Sequence, residues 1–140
     1  MQPYDENEIE ADDIIIRRID PNEHIVPDDN TGGERISSKA FSASSGDEGG
    51  MSVDVEKLIV ADGVEPMDFV TTPRFTGSVY FIAESIRERE LMIGYEPIEG
   101  NPYHGEVWRS PNGGRFTRAQ KKALRETAEW YVELPGVALK

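Results

Sequence analysis

The alternation of apolar and polar positions marks a few elements separated by polar loops. Asp13-Ile-Ile-Ile-Arg-Arg-Ile19 comes first. Three successive isoleucines predict a strand buried on both faces or one that begins in the core. It stops at Asp20-Pro21, because proline offers no ladder donor. Pro21 to Glu34, with Pro27, Asp28-Asp29-Asn30 and Gly32-Gly33, reads as loop and turns. Arg35 to Ser42 alternates loosely as a second short strand, and Ser42 to Gly50 is a small, polar stretch expected as mobile loop. Met51 to Val60 reads as a strand end followed by one or two helical turns, with Asp54 as the helix cap and closure near Gly63. Asp68 to Thr72 reads as a strand broken at Pro73, and Gly77 to Ile82 as a better one. Ala83 to Met92 then predicts a short amphipathic helix with Ile86 inward, and Ile93 to Gly100 an extended segment leading into Asn101-Pro-Tyr-His-Gly-Glu-Val-Trp108.

The clearest pattern is the last. Thr117-Arg-Ala-Gln120 has capping-box spacing, with Phe116 placed to act as a hydrophobic staple. Ala119, Ala123, Leu124, Thr127, Trp130 and Tyr131 follow at helical spacing, opposite Arg118, Lys121, Lys122 and Arg125. Isoleucine and valine together outnumber leucine by 22 to five. The fold class expected is α+β: a single small mixed-sheet domain with a short central helix and an amphipathic C-terminal helix.

The 140 residues suit one domain. Leu, Ile, Val and Phe make up about 23% of the chain, just above the level of about 20% at which composition signals disorder. No apolar run approaches the ~18 residues of a membrane span, and the acidic N-terminus differs from a basic export signal, so a cytoplasmic protein without a membrane partner is expected. Without cysteine there is no disulfide, thiol nucleophile or thiolate zinc site. The net charge is −12. It argues against phosphate-backbone binding, which needs clustered lysine and arginine. The basic face of the C-terminal helix reads as solvated surface. The layout matters more than the total. Met1 to Asp13 holds six acids and no base, whereas Arg109 to Lys140 carries +4, leaving −10 between. Residues 1–12 are expected as a solvated, disordered acidic tail, and 13–140 as the folded domain.

Four segments form a recognisable series: Arg17-Arg-Ile19, Arg35-Ile-Ser-Ser-Lys-Ala-Phe41, Gly50-Met-Ser-Val53, and Asn101-Pro-Tyr-His104 with Val107. In this order they resemble a family of short bacterial proteins of unknown function. The resemblance runs from about Ile14 to Tyr131 and excludes the acidic leader and the stretch between Trp108 and Thr117. It implies one compact domain in a bacterial or phage setting, and no activity, cofactor or catalytic residue.

The polar side chains with most chemical potential are Arg17, Arg18, Arg35, Ser37, Ser38, Asn101 and His104. Arginine offers a planar fork for an anion and serine flexible donors. His104, in a loop beside Asn101 and Pro102, is the candidate general acid or base. The competing reading makes the arginines strand ends, the serines a turn pair and the histidines, His24 above all, loop locks. Asp28-Asp29-Asn30 offers oxygen ligands but does not match the spacing of an EF-hand, and no nucleophile elbow is present. No metal or cofactor is expected. Two functions stay open, beside a reading as salt adaptation in which the acid excess serves solubility and not a partner. One is an acidic interaction module for a protein partner with a basic surface, such as an immunity, inhibitor or accessory component of a bacterial or phage conflict system. The other is a small enzyme or binding domain with an Arg/Ser/His pocket for a nucleotide or other anion. The second requires Arg35 and His104 to share one concave surface.

Overall fold

The computed structural model describes residues 3–43, 50–109 and 113–139. In chain order the elements are β1 (Ile14–Ile19), α1 (Pro21–His24), β2 (Ile25–Pro27), β3 (Glu34–Ile36), a 3-10 turn (Ser38–Phe41), β4 (Met51–Val55), α2 (Glu56–Ala61), α3 (Pro66–Val70), β5 (Gly77–Ile82), α4 (Ala83–Arg87), β6 (Leu91–Tyr95), β7 (His104–Arg109), α5 (Arg118–Thr127), β8 (Glu129–Val132) and β9 (Val137–Ala138). Six strands make the main sheet, in the order β6-β7-β4-β1-β5-β8, with every pairing antiparallel. A small sheet, β2-β3-β9, stands apart. The protein is a small α+β domain, as its β-branched composition predicts.

The four isoleucines of β1 serve both faces of the sheet. Ile15 and Ile19 enter a large core with Val53, Val55, Val79, Phe81, Ile93 and Val107, closed by Ile36, Ala40 and Phe41 from the small sheet and its turn and by Leu124 from α5. Ile16 enters a smaller core on the other face, with Ile59 of α2, Val70 of α3 and Tyr103. Each fully buried aliphatic or aromatic side chain contributes about 1.5–3 kcal/mol, so the first face holds most of the apolar driving force. The second face is thinner and more polar.

Local chemistry explains most element boundaries. Thr117 and Gln120 form the capping box at the start of α5, Thr117 Oγ1 accepting from the Gln120 amide at 3.0 Å and Gln120 Oε1 from the Thr117 amide at 2.9 Å. The helix ends at Thr127, so Trp130 and Tyr131 lie on β8, where strand alternation sends them to opposite cores. Gln120 and Leu124 are the buried positions of α5, and Ala119 is exposed. The turn after α2 closes at Gly63, whose φ of +73° suits glycine.

Several expectations are corrected. The helix expected over Ala83 to Met92 ends at Arg87, with Leu91 and Met92 on β6, and the strand expected from Arg35 to Ser42 stops at Ile36 and gives way to the 3-10 turn. Asp68 to Thr72 lies largely in helix α3: Pro66 occupies its first turn and the Glu65 carboxylate accepts from the Met67 amide, so the start signal outweighs the β propensity of Phe69 and Val70. The loop after β1 opens with helix α1, because Asp20 accepts from the Asn22 amide and Pro21 has the φ a helix needs. Asp54 caps nothing, since the residue before α2 is Val55. Of the stretch expected as mobile loop, residues 44–49 lie outside the described residues.

The acidic leader, expected as a solvated tail, is seated along β6 over residues 3–13. Ile9 is 1% exposed in the large core. Tyr4 Oη accepts from the Tyr95 amide at 2.8 Å and donates to its carbonyl at 2.9 Å. Asp5 accepts from the Ile93 amide at 3.1 Å and pairs with Arg87 at 3.0 Å, and the Glu6 amide donates to the Ile93 carbonyl at 2.8 Å. Gly94 makes the approach possible, since a Cβ there would lie 2.6 Å from the Tyr4 ring and 2.8 Å from Trp108. Ion pairing and one anchored isoleucine hold a segment that charge composition alone would leave in water.

Candidate functional site

The ladder between β1 and β4 covers only Ile15 with Val55 and Ile16 with Asp54, whereas β1 and β5 pair over six positions. Beyond Ile16 the Arg17 side chain takes over the contact to β4. Arg17 Nη1 donates to the Ser52 carbonyl at 2.9 Å, and Nε to the Ala40 carbonyl of the 3-10 turn at 2.8 Å. Arg17 is 6% exposed. Burial pulls its guanidinium down to about 10, opposed by the charges of Glu106 and Asp54, so it stays cationic at neutral pH. It pins three segments together and forms the floor of a cleft of about 480 Å³.

Arg18, on the opposite face by strand alternation, forms one wall. It clasps Asp54 through Nε at 2.8 Å and Nη2 at 3.3 Å, and its guanidinium lies 5.4 Å from the Phe69 ring centroid. Asp54 also accepts from Asn101 Nδ2 at 2.7 Å, while Asn101 Oδ1 accepts from the Tyr103 amide at 3.0 Å. The side chain that the sequence suggested as a helix cap therefore ties β1, β4 and the 96–103 loop together at 4% exposure. Tyr103 stacks edge-on against Phe69 at 5.0 Å and donates to Asp62 at 2.7 Å, an interaction that raises the phenol's pKa ahead of burial.

His104 faces Asp54 across the β4–β7 pairing and lines the cleft. Its Nδ1 lies 2.7 Å from the Glu96 carbonyl oxygen, which can only accept, so Nδ1 carries a proton and the neutral ring presents a lone pair at Nε2. No hydrogen bond from another described residue reaches Nε2. Phe69, Phe75, Ile98 and Thr72 complete the walls, with Glu99 and Gly100 at the lip.

Of the candidates read from sequence, Arg17, Asn101 and His104 line this one cleft together with Arg18. Arg35, Ser37 and Ser38 are elsewhere. Arg35 lies on β3 of the small sheet and donates to the Ile36 carbonyl, Ser37 caps the 3-10 turn by accepting from the Lys39 amide, and Ser38 begins that turn. These elements pack through Ile36, Ala40 and Phe41 onto the large core, across the main sheet from Asp54 and His104. The pocket combining Arg35 with His104 is therefore not formed. Asp54 and Phe69 were missed as site residues, Asp54 because an acid before a helical run reads as a cap.

His24 is a loop lock. Its Nδ1 accepts from the Asp20 amide at 2.9 Å, and burial, reinforced by the charge of Arg17, pushes the imidazole down to about 4. Among the described residues no three His, Asp or Glu side chains assemble as a metal site, and no helix is long and apolar enough to cross a membrane.

No protein-family model matches the chain, and no curated protein or solved structure matches it.

Proposed function

We propose that this protein is a small acidic interaction module that binds a protein partner presenting basic and apolar groups, through the sheet face covered by α2, α3 and the 96–103 loop. One observation carries this reading. Of the four large hydrophobic side chains exposed among the described residues, three (Val60, Met67 and Ile98, 47–56% exposed) lie on those segments. They stand among the carboxylates of Asp62, Glu65, Asp68 and Glu99. The base on these segments, Lys57, is turned to Asp13 at 2.8 Å and to the Glu8 carbonyl. An apolar centre with an acidic surround suits a partner of opposite charge, and the field would speed encounter as well as orient it.

The same reading accommodates an immunity, inhibitor or accessory role in a bacterial or phage conflict system, the setting that the four-segment resemblance implies. The test is affinity capture from the native host at low and moderate salt, with Asp68→Lys/Glu99→Lys as the comparison. A basic partner held by the natural protein and lost by the variant supports the reading. Capture of nothing at either salt concentration, or equal capture by the variant, refutes it.

A further inference from the structure

We infer that the cleft between β1, β4 and β7 is a small-molecule site for a flat, uncharged heteroaromatic ring that presents a hydrogen-bond donor beside an acceptor, as a nucleobase does. This goes beyond the docking face, because it concerns the interior of the cleft and stands without any protein partner.

The cleft has the dimensions and lining of such a site. Its volume of about 480 Å³ falls within the roughly 300–1,000 Å³ typical of ligand pockets. The walls are mainly carbon, from Phe69, Phe75 and Ile98, and aromatic walls suit a planar ring. Two polar groups keep capacity for a visitor. His104 Nε2 offers a lone pair, its tautomer fixed by the Glu96 carbonyl on the far side of the ring. Arg18 Nη1 offers N–H donors, since only Nε and Nη2 are committed to Asp54. Asp54 holds Arg18 in a bidentate grip and is the direct cross-strand neighbour of His104. The donor and the acceptor therefore flank one fixed carboxylate, and their orientation is built in before any ligand arrives.

The electrostatics select against a phosphate. Arg18 is matched by Asp54, and Arg17 is buried facing Asp54 and Glu106 with its donors on backbone carbonyls. Glu99 stands at the lip, and the whole chain carries −12. An anion entering this cleft meets cations already neutralised and a repulsive field outside. A neutral ring meets neither obstacle. The pocket for a charged nucleotide expected from the arginine count thus becomes a pocket for an uncharged base or nucleoside.

The experiment is a titration of the full-length, isotope-labelled protein with uridine, cytidine, adenosine and guanosine, and with their 5′-monophosphates, followed by amide shifts and calorimetry. At least one nucleoside is expected to move amides of β4, β7 and the 96–103 loop and to saturate at millimolar concentration or below. Its monophosphate should bind roughly threefold more weakly or worse. His104→Phe should lose roughly tenfold in affinity. Ile98→Glu, at a half-exposed wall position that the fold does not need, should weaken binding while the rest of the spectrum is unchanged. The inference is overturned if none of the four nucleosides shifts those amides, if the monophosphate binds tighter than its nucleoside, or if Ile98→Glu binds as well as the natural protein. Ile98 and Glu99 border both surfaces, so the two readings are kept apart by the readout: nucleoside titration is made without any partner protein, and partner capture is read on Asp68→Lys/Glu99→Lys with no nucleoside present.

Discussion

Arg17 and Arg18 are adjacent in sequence, equal in charge and opposite in role. Arg17 turns toward the large core, where backbone carbonyls of β4 and the 3-10 turn take its protons and the strand ladder has given way to a side chain. Arg18 turns to the thinner face, where it grips Asp54 under the Phe69 ring and keeps 21% of its side chain exposed. The period of two along a strand separates a scaffold arginine from a site arginine with no difference in residue type. A charge-bearing pair in a sequence therefore carries no functional meaning until its faces are assigned.

The sharpest break in this comparison is Arg17→Leu. It removes the two buried hydrogen bonds to the Ser52 and Ala40 carbonyls and a buried cation lying in the fields of Glu106 and Asp54, and should cost about 3–5 kcal/mol in urea unfolding. If the loss is under about 1 kcal/mol, Arg17 is not the tie between β1, β4 and the turn.

Next in size is a pH effect on the same side of the sheet. The His24 imidazole has a folded pKa of about 4 against about 6.5 unfolded, so between these values the unfolded chain binds a proton that the folded chain refuses. The contribution of this group is complete well above pH 6.5 and is lost as pH falls through 6.5 to below 4, by roughly 3–3.5 kcal/mol in all. His24→Asn, which keeps an acceptor for the Asp20 amide, should flatten that part of the stability profile. An unchanged slope between pH 6.5 and 4 would show that His24 is not its source, because Asp20 and Asp13, held below the usual carboxyl range by Arg74 and Lys57, lose their stabilisation mainly below pH 4.

On the other face the expected changes are smaller. Arg18→Leu leaves the buried Asp54 carboxylate with Asn101 alone and should lose about 2–3 kcal/mol, together with any nucleoside affinity. A stability loss as large as that of Arg17→Leu would erase the distinction between the two. Ser78, the cross-strand neighbour of Arg18, has a fully buried hydroxyl with no hydrogen-bond partner among the described residues. Ser78→Ala should raise stability by about 0.5–1 kcal/mol, read as a small rise in Tm.

Much of the scaffold is readable in the chain because its signals are local. The isoleucine run marks β1, the sequence from Met51 to Gly63 marks a strand, a helix and a left-handed closure, and Thr117 with Gln120 marks the start of α5. At Glu65-Pro66 a local helix start outweighed β propensity, and at Asp20-Pro21 one formed where a loop was expected. The candidate site was only partly readable. Arg17, Asn101 and His104 meet, but Arg35, Ser37 and Ser38 lie across the sheet, since no periodicity in sequence tells which layer the β3 segment will join. Asp54 and Phe69 acquire their roles from partners 36 and 34 residues away, Arg18 and Tyr103 respectively.

The seating of Tyr4, Asp5 and Glu6 on β6 also bears on behaviour at high concentration. An uncovered border strand is a template onto which another chain can add. Here the outward amides of Ile93 and Tyr95 are already taken by a carboxylate and a phenol, and the segment that takes them brings six acids and no base. With those amides occupied and acidic side chains beside them, the β6 border offers no free donors at Ile93 and Tyr95 for an added strand to pair with.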